Sequence, residues 1–355
     1  MRTFAEFQGR TTKRVHGDRR GTLVTIRVGL IGAGIMGADH ARILSQQITG
    51  VSLQFICDAD HARARQIADA TGAMHVSADP LTVISDKQVD AVLIASPDET
   101  HASLCRTCIE ARKPVLCEKP LSQHSHECVE VLAAETKAGR RLVQIGFMRR
   151  FDPAYVEMKA ALSSGKLGAP LMMHNFHRNV SAPANFTGQM AITNSAPHEF
   201  DIARFVLDAE YQSISVFRPK FADANRVGAP VFMVLQTLNG QLVNVEINNN
   251  AAYGYDVRGE LVGEKGSVSL RSPVASELYV NLQSVTTYPS DWRPRFADAY
   301  RLQNAAWLKS IETGKPVGAS AWDGYASTLI AEAGVKSLET GATVDVLPIA
   351  KPALY

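Results

Sequence analysis

Residues 25–47 constrain the fold of this 355-residue chain more than any other stretch. An apolar run over 25–31 is followed by Gly32-Ala33-Gly34-Ile35-Met36-Gly37, a GxGxxG pattern, and then by a helical pattern. In such a strand–turn–helix context the first glycine permits a tight turn, the second lets a pyrophosphate approach the backbone, and the third lets the helix pack on the strand. The helix N-terminus supplies unpaired N–H groups for the phosphates. The stretch therefore predicts a dinucleotide site at the start of a parallel α/β sheet.

Asp58 follows the second predicted strand, 51–57, and lies 21 residues after Gly37. A carboxylate at this point is expected to accept the two hydroxyls of the adenosine ribose. A 2′-phosphate would instead meet a like charge, with a repulsion of about 4 kcal/mol at about 4 Å before screening. The next residue, Ala59, offers no compensating charge, although Arg63 lies one helical turn further on and could reach back. The sequence therefore favours NAD over NADP.

The pattern that follows alternates short strands with helices of ten to fifteen residues, which is typical of βαβ units and a doubly wound parallel sheet. We predict strands at 51–57, 74–77, 90–95, 114–117 and 141–146, and helices at 37–47, 60–71, 98–112 and 124–138. Residues 25–146 are therefore predicted to form an α/β Rossmann domain with helices on both faces of the sheet.

The pattern changes after about Gly146, where strand-like segments follow one another directly. Strands are predicted at 171–178, 211–217, 231–238, 242–248, 255–262, 266–270 and 278–284, and helices at 153–163, 198–207, 295–311 and 321–338. Asn239-Gly240, between two apolar runs, is a strong hairpin signal. Residues 147–355 are therefore predicted to form an α+β domain with a large open, mainly antiparallel sheet, which binds substrate and mediates oligomerisation.

The charge and hydropathy patterns argue against several classes of partner. Lys and Arg total 37 against 35 Asp and Glu, and six of the basic residues lie in the first twenty positions, so the rest of the chain has no basic excess. A nucleic-acid partner is therefore not expected. No apolar run approaches the roughly eighteen residues that a membrane helix requires, so no membrane partner is expected either. Residues 1–24 lack the apolar segment of a secretory signal and are interpreted as a flexible N-terminal extension.

Five cysteines in a chain of this length do not form a disulfide framework, and a reducing, cytoplasmic compartment is expected. Cys105-x-x-Cys108 invites comparison with zinc sites, since Cys117 and several histidines are near in sequence. Both cysteines lie inside a predicted helix, however, and no second CxxC follows. Buried small hydrophobic residues are the preferred interpretation, and no metal is predicted.

Three further motifs occur where loops leave the predicted elements. Ser96-Pro97 with His101 follows the fourth strand, Glu118-Lys119-Pro120 follows the fifth, and His198-Glu199-Phe200-Asp201 opens a helix. With the glycine turn they resemble the glucose–fructose oxidoreductase, inositol dehydrogenase and rhizopine catabolism (Gfo/Idh/MocA) family, over about residues 25–340. Four stretches are similar to its myo-inositol dehydrogenase branch in particular, namely 148–152, 177–179, 254–258 and 291–300.

The chemistry of these residues suits the oxidation of a secondary alcohol, which needs a base for the hydroxyl proton and a cation beside the developing oxyanion. His198 is the natural base, because imidazole titrates near neutral pH, and Lys119 is the natural cation. The resemblance assigns both residues these roles and adds Arg149, His177 and Tyr255 as substrate-binding positions. It also implies a cofactor-binding set, which consists of Gly32, Ala33, Gly34, Ile35, Met36, Gly37, Asp58, Ser96, Pro97, His101, Glu118 and Lys119.

Asn194 departs from the family pattern, which places an Asp four residues before the histidine and so completes a Lys–Asp–His triad. An amide can hold an imidazole by a hydrogen bond, but it cannot stabilise the imidazolium that forms when the proton is taken. The resemblance puts Asn194 in the catalytic set, and it puts Asn194, Lys119 and His198 in the substrate-binding set as well.

The resemblance implies a homotetrameric enzyme that uses NAD to oxidise one ring hydroxyl of a cyclitol, foremost myo-inositol to the 2-keto product scyllo-inosose. Another cyclitol or a sugar (scyllo-inositol, chiro-inositol or an aldose) is an alternative substrate. A second alternative is an NAD-binding sensor that keeps the fold without turnover. Asn194 favours the sensor, whereas the presence of Lys119 and His198 opposes it.

Overall fold

The computed structural model describes residues 25–183, 185–220, 230–271 and 277–355. The extension predicted over residues 1–24 lies outside the described residues. Within these ranges, no helix is both long and apolar enough to cross a membrane.

The first domain is the doubly wound α/β unit that the sequence predicts. Its strands are β1 (Ile26–Ile31), β2 (Val51–Cys57), β3 (His75–Ser77), β4 (Ala91–Ile94), β5 (Val115–Cys117) and β6 (Val143–Ile145). Its helices are α1 (Ile35–Gln46), α2 (His61–Thr71), α3 (Pro80–Ser85), α4 (His101–Glu110) and α5 (Ser125–Ala138). The strands are parallel in the order β6-β5-β4-β1-β2-β3. Helices cover both faces, so a central strand such as β4 is buried at every residue.

Helix α3 is an element that the sequence analysis did not predict. It is only six residues long, and its start is fixed by Asp79, whose side chain accepts hydrogen bonds from the N–H groups of Leu81 and Thr82. Pro80 occupies its first turn, where a missing N–H costs nothing. Such a short helix carries too little periodicity to be recognised from sequence.

The second domain is α+β, also as predicted. Its helices are α6 (Pro153–Ser163), α7 (Gly188–Met190), α8 (Pro197–Leu207), α9 (Arg293–Thr313) and α10 (Ala321–Thr340), with a 3₁₀ turn at Met148–Phe151 and a π-helical turn at Ala191–Ser195. Its strands are β7 (Pro170–Arg178), β8 (Tyr211–Phe217), β9 (Val231–Thr237), β10 (Leu242–Asn248), β11 (Asp256–Gly263), β12 (Gly266–Ser269), β13 (Glu277–Val280), β14 (Gln283–Thr286), β15 (Ala319–Ser320) and β16 (Val344–Asp345).

The large sheet of this domain has the order β12-β11-β7-β10-β9-β8-β16 and is antiparallel except where β7 pairs with β10. The hairpin predicted at Asn239-Gly240 joins β9 to β10, and Gly240 takes the positive φ of 86° that such a turn requires. One face of the sheet packs on α8 and α10, which places α8 against the site described below.

The prediction of a single strand at 278–284 is wrong, because the segment forms a hairpin of two strands. β13 and β14 pair with each other around Asn281 and Leu282, both of which have positive φ angles. Neither turn residue is glycine, so the usual sequence signal of a tight hairpin is absent.

The chain returns to the first sheet near its end. β15 pairs antiparallel with β6, so that Ala319 lies opposite Ile145, and α10 packs against α5. Ion pairs join the 3₁₀ turn after β6 to two helices, since Arg150 lies 2.6 Å from Asp201 on α8 and 2.9 Å from Asp323 on α10. α8 is therefore fixed relative to the carboxyl edge of the first sheet.

Candidate active site

The glycine turn between β1 and α1 is shaped by close backbone contacts. Gly32 has φ of 94°, and a Cβ there would lie 2.4 Å from the Ala95 carbonyl oxygen. A Cβ on Gly37 would lie 1.8 Å from the Gly32 carbonyl oxygen. A Cβ on Gly34 would meet nothing within 4 Å, so this glycine faces open space at the N-terminus of α1. That open cradle and the first-turn N–H groups fit a pyrophosphate, as an NAD site requires.

Asp58 extends from the end of β2 toward the same turn. Its Oδ2 accepts a hydrogen bond from the Ala33 N–H at 2.7 Å, and its Oδ1 accepts one from the Asp60 N–H at 2.8 Å. Arg63 donates to both oxygens. Burial opposes ionisation of Asp58, but the hydrogen bonds from Arg63, Ala33 and Asp60 outweigh it and lower its pKa. Asp58 is therefore a charged acceptor at the place where the ribose hydroxyls are expected, and in this structure it is paired with Arg63.

His101 braces two loops at the carboxyl edge of the sheet. It is 1% exposed, and its Nδ1 lies 2.7 Å from the Pro120 carbonyl oxygen while its Nε2 lies 2.8 Å from the Ser96 carbonyl oxygen. Ser96 itself is hydrogen-bonded to Thr100, and Pro97 is exposed beside it. His101 thus belongs to the predicted site as a support for the Ser96-Pro97 and Lys119-Pro120 loops.

Glu118 is supported from beneath by a residue that the sequence analysis did not identify. His40 Nε2 lies 2.9 Å from Glu118 Oε1, and Asn304 of α9 donates to His40 Nδ1 at 3.0 Å. His40 therefore carries its proton on Nε2 and donates it to Glu118. Burial alone would raise the pKa of Glu118, but the bonds from His40 and the Lys119 N–H lower it.

A cavity of about 220 Å³ lies between the glycine turn, the loop after β5, and α8. It is smaller than the roughly 300 Å³ of typical drug-sized pockets, so it suits a small molecule. Most of its lining is polar or aromatic, and it is formed by Met36, Glu118, Lys119, Met148, Arg149, His177, Asn179, Asn194, Ser195, His198, Tyr255, Trp292 and Tyr300. All six predicted substrate-binding residues are in this set. Because Met36 belongs to the glycine turn, the cavity adjoins the cofactor site.

One wall of the cavity is a buried charged group of three residues. Glu199 is ion-paired with Arg149, and its Oε1 lies 2.8 Å from His177 Nδ1. His177 Nδ1 also lies 3.3 Å from Arg149 Nη2, and its Nε2 lies 3.3 Å from Asn179 Nδ2. Glu199 is 0% exposed, so its charge is compensated inside the protein. The group presents fixed donors and acceptors to a polyhydroxylated ligand.

His198 lies at the start of α8 with its ring 6.4 Å from that of His177 and 6.3 Å from that of Phe147. Its Nδ1 is buried and has no hydrogen-bond partner among the described residues. Asn194 does not supply one, since its side-chain oxygen accepts from the Thr193 hydroxyl at 2.6 Å. The main-chain carbonyl oxygen of Asn194 accepts a hydrogen bond from Lys119 Nζ at 3.2 Å. The position that the family pattern gives to a carboxylate therefore holds Lys119 through the main chain and leaves the imidazole unsupported.

The electrostatics favour a neutral imidazole beside cations. Burial, reinforced by the charges of Lys119 and Arg149, lowers the pKa of His198 well below its usual range. Burial also lowers the pKa of Lys119, although Glu118 opposes this effect. A neutral His198 can accept a proton at neutral pH, and a charged Lys119 can stabilise a developing alkoxide.

Several lining residues were not identified as site residues from the sequence. Asn179, Trp292 and Tyr300 lie inside stretches that carry the family resemblance, so the signal was present without a role attached. Glu199 lies next to His198 in sequence, but its carboxylate points to Arg149 and His177. The five cysteines are all buried free thiols, in agreement with the interpretation of Cys105-x-x-Cys108 as core.

The fold and the site together define an NAD-dependent oxidoreductase that acts on a CH–OH group. The family models of this class match both domains: "Oxidoreductase family, NAD-binding Rossmann fold" over residues 26–147 and "Oxidoreductase family, C-terminal alpha/beta domain" over 159–346. The chain belongs to this Gfo/Idh/MocA oxidoreductase family.

Several relatives within the family are named inositol dehydrogenases. The chain is 47% identical to inositol 2-dehydrogenase 1 of Saccharopolyspora erythraea, over 94% of this chain and 99% of that one. It is 39% identical to inositol 2-dehydrogenase of Acidothermus cellulolyticus, over 93% and 98%. Among solved structures, myo-inositol dehydrogenase from Lactobacillus casei in complex with NAD(H) and myo-inositol superposes with a TM-score of 0.89 at 30% identity, covering 93% of this chain and 99% of that one.

Proposed function

We propose that this protein oxidises myo-inositol to scyllo-inosose with NAD as the oxidant. The observation that carries the proposal is the cavity in which His198 and Lys119 face the same small space, next to the glycine turn. Relatives that cover almost the whole chain are named inositol 2-dehydrogenases, which supports a cyclitol as the substrate.

The lining of the cavity suits a ring with several hydroxyl groups. Arg149 offers N–H donors, the side-chain oxygen of Asn179 can accept, and Tyr255 offers a hydroxyl. Glu199 fixes Arg149 and His177 in place, so that the donors are oriented before a substrate arrives. Trp292 and Tyr300 supply aromatic surface for the C–H face of the ring.

Proton transfer is assigned to His198 and charge stabilisation to Lys119. The neutral imidazole takes the proton of the reacting hydroxyl, and the Lys119 ammonium stabilises the alkoxide until the C–H bond breaks. NAD, when bound, supplies the acceptor for the hydride that leaves this carbon. Lys119 is held for this role by the Asn194 carbonyl oxygen and by the loop that His101 braces.

The proposed assembly is a homotetramer in the cytoplasm. The outer face of the large sheet is not covered by helices of this chain within the described residues, and Phe217, Phe232 and Phe176 lie on it. Phe217 is 55% exposed and Phe232 is 40% exposed, which is typical of a surface buried by another copy.

The test is a panel of cyclitols and aldoses with NAD, read at 340 nm. We expect the highest kcat/KM with myo-inositol. Preferential oxidation of scyllo-inositol, chiro-inositol or an aldose would show that the proposed substrate is wrong and that the proposed type of reaction is right. Tight NAD binding without turnover on any polyol would favour the sensor alternative.

A further inference from the structure

Arg63 occupies the hydrogen-bonding positions of Asp58 that an adenosine ribose would need. Its Nη2 lies 2.7 Å from Asp58 Oδ1 and its Nε lies 3.2 Å from Oδ2. The other bonds to this carboxylate come from the backbone N–H groups of Ala33 and Asp60. The Asp58 side chain is 8% exposed, so it has few free directions left for another donor. A ribose diol can bind Asp58 fully only when Arg63 moves away.

Arg63 is free to make that movement. Its side chain is 48% exposed and projects from the first turn of α2, whose start is fixed by Asp60. The backbone N–H of Arg63 donates to the Asp60 side chain, so the helix start does not depend on the guanidinium. The contact between Arg63 Nη1 and Asp60 Oδ2, at 3.9 Å, is weak.

We propose that Arg63 is a cofactor-specificity residue, which leaves Asp58 free for the ribose diol of NAD and turns toward the 2′-phosphate of NADP. A guanidinium binds a phosphate through two parallel N–H···O bonds, as it now binds Asp58. In the cofactor-free protein Arg63 neutralises Asp58, and with NADP it screens the phosphate from the same carboxylate. The chain therefore accepts NADP as a second, weaker cofactor, although Asp58 favours NAD.

Binding of adenine nucleotide fragments tests this proposal without any turnover. Titration calorimetry with 5′-AMP and with adenosine 2′,5′-bisphosphate measures the contribution of the 2′-phosphate directly. In wild type we expect both fragments to bind. In Arg63→Ala we expect the bisphosphate to bind at least tenfold more weakly, while 5′-AMP binds equally well or up to about threefold more tightly because Asp58 is released.

Arg65→Ala is the matched control, because Arg65 is exposed on the same helix and has no side-chain partner in the described part of the chain. It removes the same charge and should leave the ratio of the two affinities within about twofold of wild type. Arg63→Lys keeps the charge without the planar pair of donors and should lose part of the bisphosphate affinity.

Equal weakening of both fragments by Arg63→Ala would overturn the proposal, since it would mean that Arg63 contacts the adenine or ribose instead. An unchanged affinity ratio, or no binding of the bisphosphate to wild type, would overturn it as well. A melting temperature equal to wild type shows that each variant is folded. The assay contains no polyol, so its outcome is independent of whether myo-inositol is the substrate.

Discussion

Proton abstraction in this site depends on how the His198 ring is held. The family pattern pairs such a histidine with a carboxylate. Here Nδ1 is buried without a partner in the described part of the chain, and residue 194 is an amide bonded to Thr193. An imidazole with a lowered pKa is fully available as a base at neutral pH, but it is a weak one. The arrangement therefore predicts a working site with a slow proton transfer.

Asn194→Asp tests this interpretation directly. A carboxylate at position 194 stabilises the imidazolium, so it should raise the pKa of His198 and increase kcat on the true substrate about tenfold with little change in KM. The sign of the pH effect follows. Because the base must be deprotonated, the acid limb of kcat/KM should lie below about pH 6.5 in wild type and move to higher pH in the variant.

Asn194→Leu is the control, since it removes the amide without adding a charge, and it should not raise kcat. Steady-state kinetics from pH 5.5 to 10 measure both effects. An unchanged or lower kcat in Asn194→Asp would contradict the role assigned here to the missing carboxylate.

His40 positions the Lys119 loop indirectly, through its hydrogen bond to Glu118. Its bond to Glu118 joins α1 to the loop that carries Lys119, and Asn304 extends the connection to α9. We expect His40→Leu to destabilise the protein by about 2 kcal/mol, because it leaves a buried carboxylate without its charge-assisted donor. His40→Gln, which keeps an N–H in the same region, should recover part of this loss.

The pH dependence provides the second readout for His40. The lowered pKa of Glu118 means that ionised Glu118 stabilises the fold above the pKa of the unfolded state, near 4.5, and that this contribution is lost as pH falls through the folded value. In His40→Leu the pKa of Glu118 in the folded state should be higher, so the loss of stability on acidification should begin at higher pH. Thermal melts between pH 3 and 7 measure it, and identical profiles for wild type and variant would exclude the assigned contact.

At the scale of elements, the β1–α1 unit combines two requirements in one turn. Gly37 lets α1 lie against the Gly32 carbonyl oxygen, whereas Gly34 faces open space at the helix N-terminus. The first requirement concerns folding and the second concerns the ligand, although both glycines belong to the same motif. Substitutions at the two positions should therefore fail in different ways.

Gly34→Ala and Gly37→Ala form a matched pair. Gly34→Ala should melt within about 2 °C of wild type but bind NAD at least tenfold more weakly, because its methyl group enters the phosphate cradle. Gly37→Ala should lose about 1–3 kcal/mol of stability through the clash with the Gly32 carbonyl. Calorimetry with NAD and thermal melting separate the two effects, and equal behaviour of the variants would contradict this division.

The elements that the sequence predicted well are those whose pattern repeats. The parallel strands of the first sheet are apolar runs in the sequence because both faces of the sheet are buried. The glycine turn shows where the first of these strands ends. The hairpin of β13 and β14 was read as one strand, since Asn281 and Leu282 carry no turn signal. The π-helical turn at Ala191–Ser195 was not foreseen, because one turn is too short to show a period.

The site was predictable to the extent that each role depends on residue type. His198, Lys119 and Asp58 were identified from chemistry and motif, and the structure brings the first two into one cavity. The partners of buried groups could not be predicted, because His40 and Asn304 are 264 positions apart and meet only through packing. The orientation of Glu199 away from His198 is also a consequence of the fold.

At the scale of the whole molecule, the outer face of the large sheet is the surface through which we expect copies of the chain to associate. Neighbouring strands align Phe217 with Phe232, and Glu246 with Phe176, across this face. Glu246 separates Phe176 from Phe232, but the exposed aromatic pair of Phe217 and Phe232 favours association with an identical surface on a second copy. We expect a homotetramer by light scattering at micromolar concentration.

Phe232→Glu places a charge in the middle of that row and should shift the assembly toward smaller species without loss of fold. Gln66→Glu is the control, because it adds a charge at an exposed polar position on α2, which is not part of this sheet. A monomeric wild type, or equal behaviour of the two variants, would contradict the assignment of this face.

The central claim is that the protein uses NAD to oxidise myo-inositol bound in the cavity between the two domains. The most direct measurement is the initial rate of NADH formation with myo-inositol, combined with identification of the organic product by NMR. The account predicts NAD-dependent formation of scyllo-inosose, which is abolished by His198→Ala and by Lys119→Ala, while the His198→Ala variant still binds NAD. NADH formation that survives in both variants, or the absence of any keto product from wild type, would contradict it.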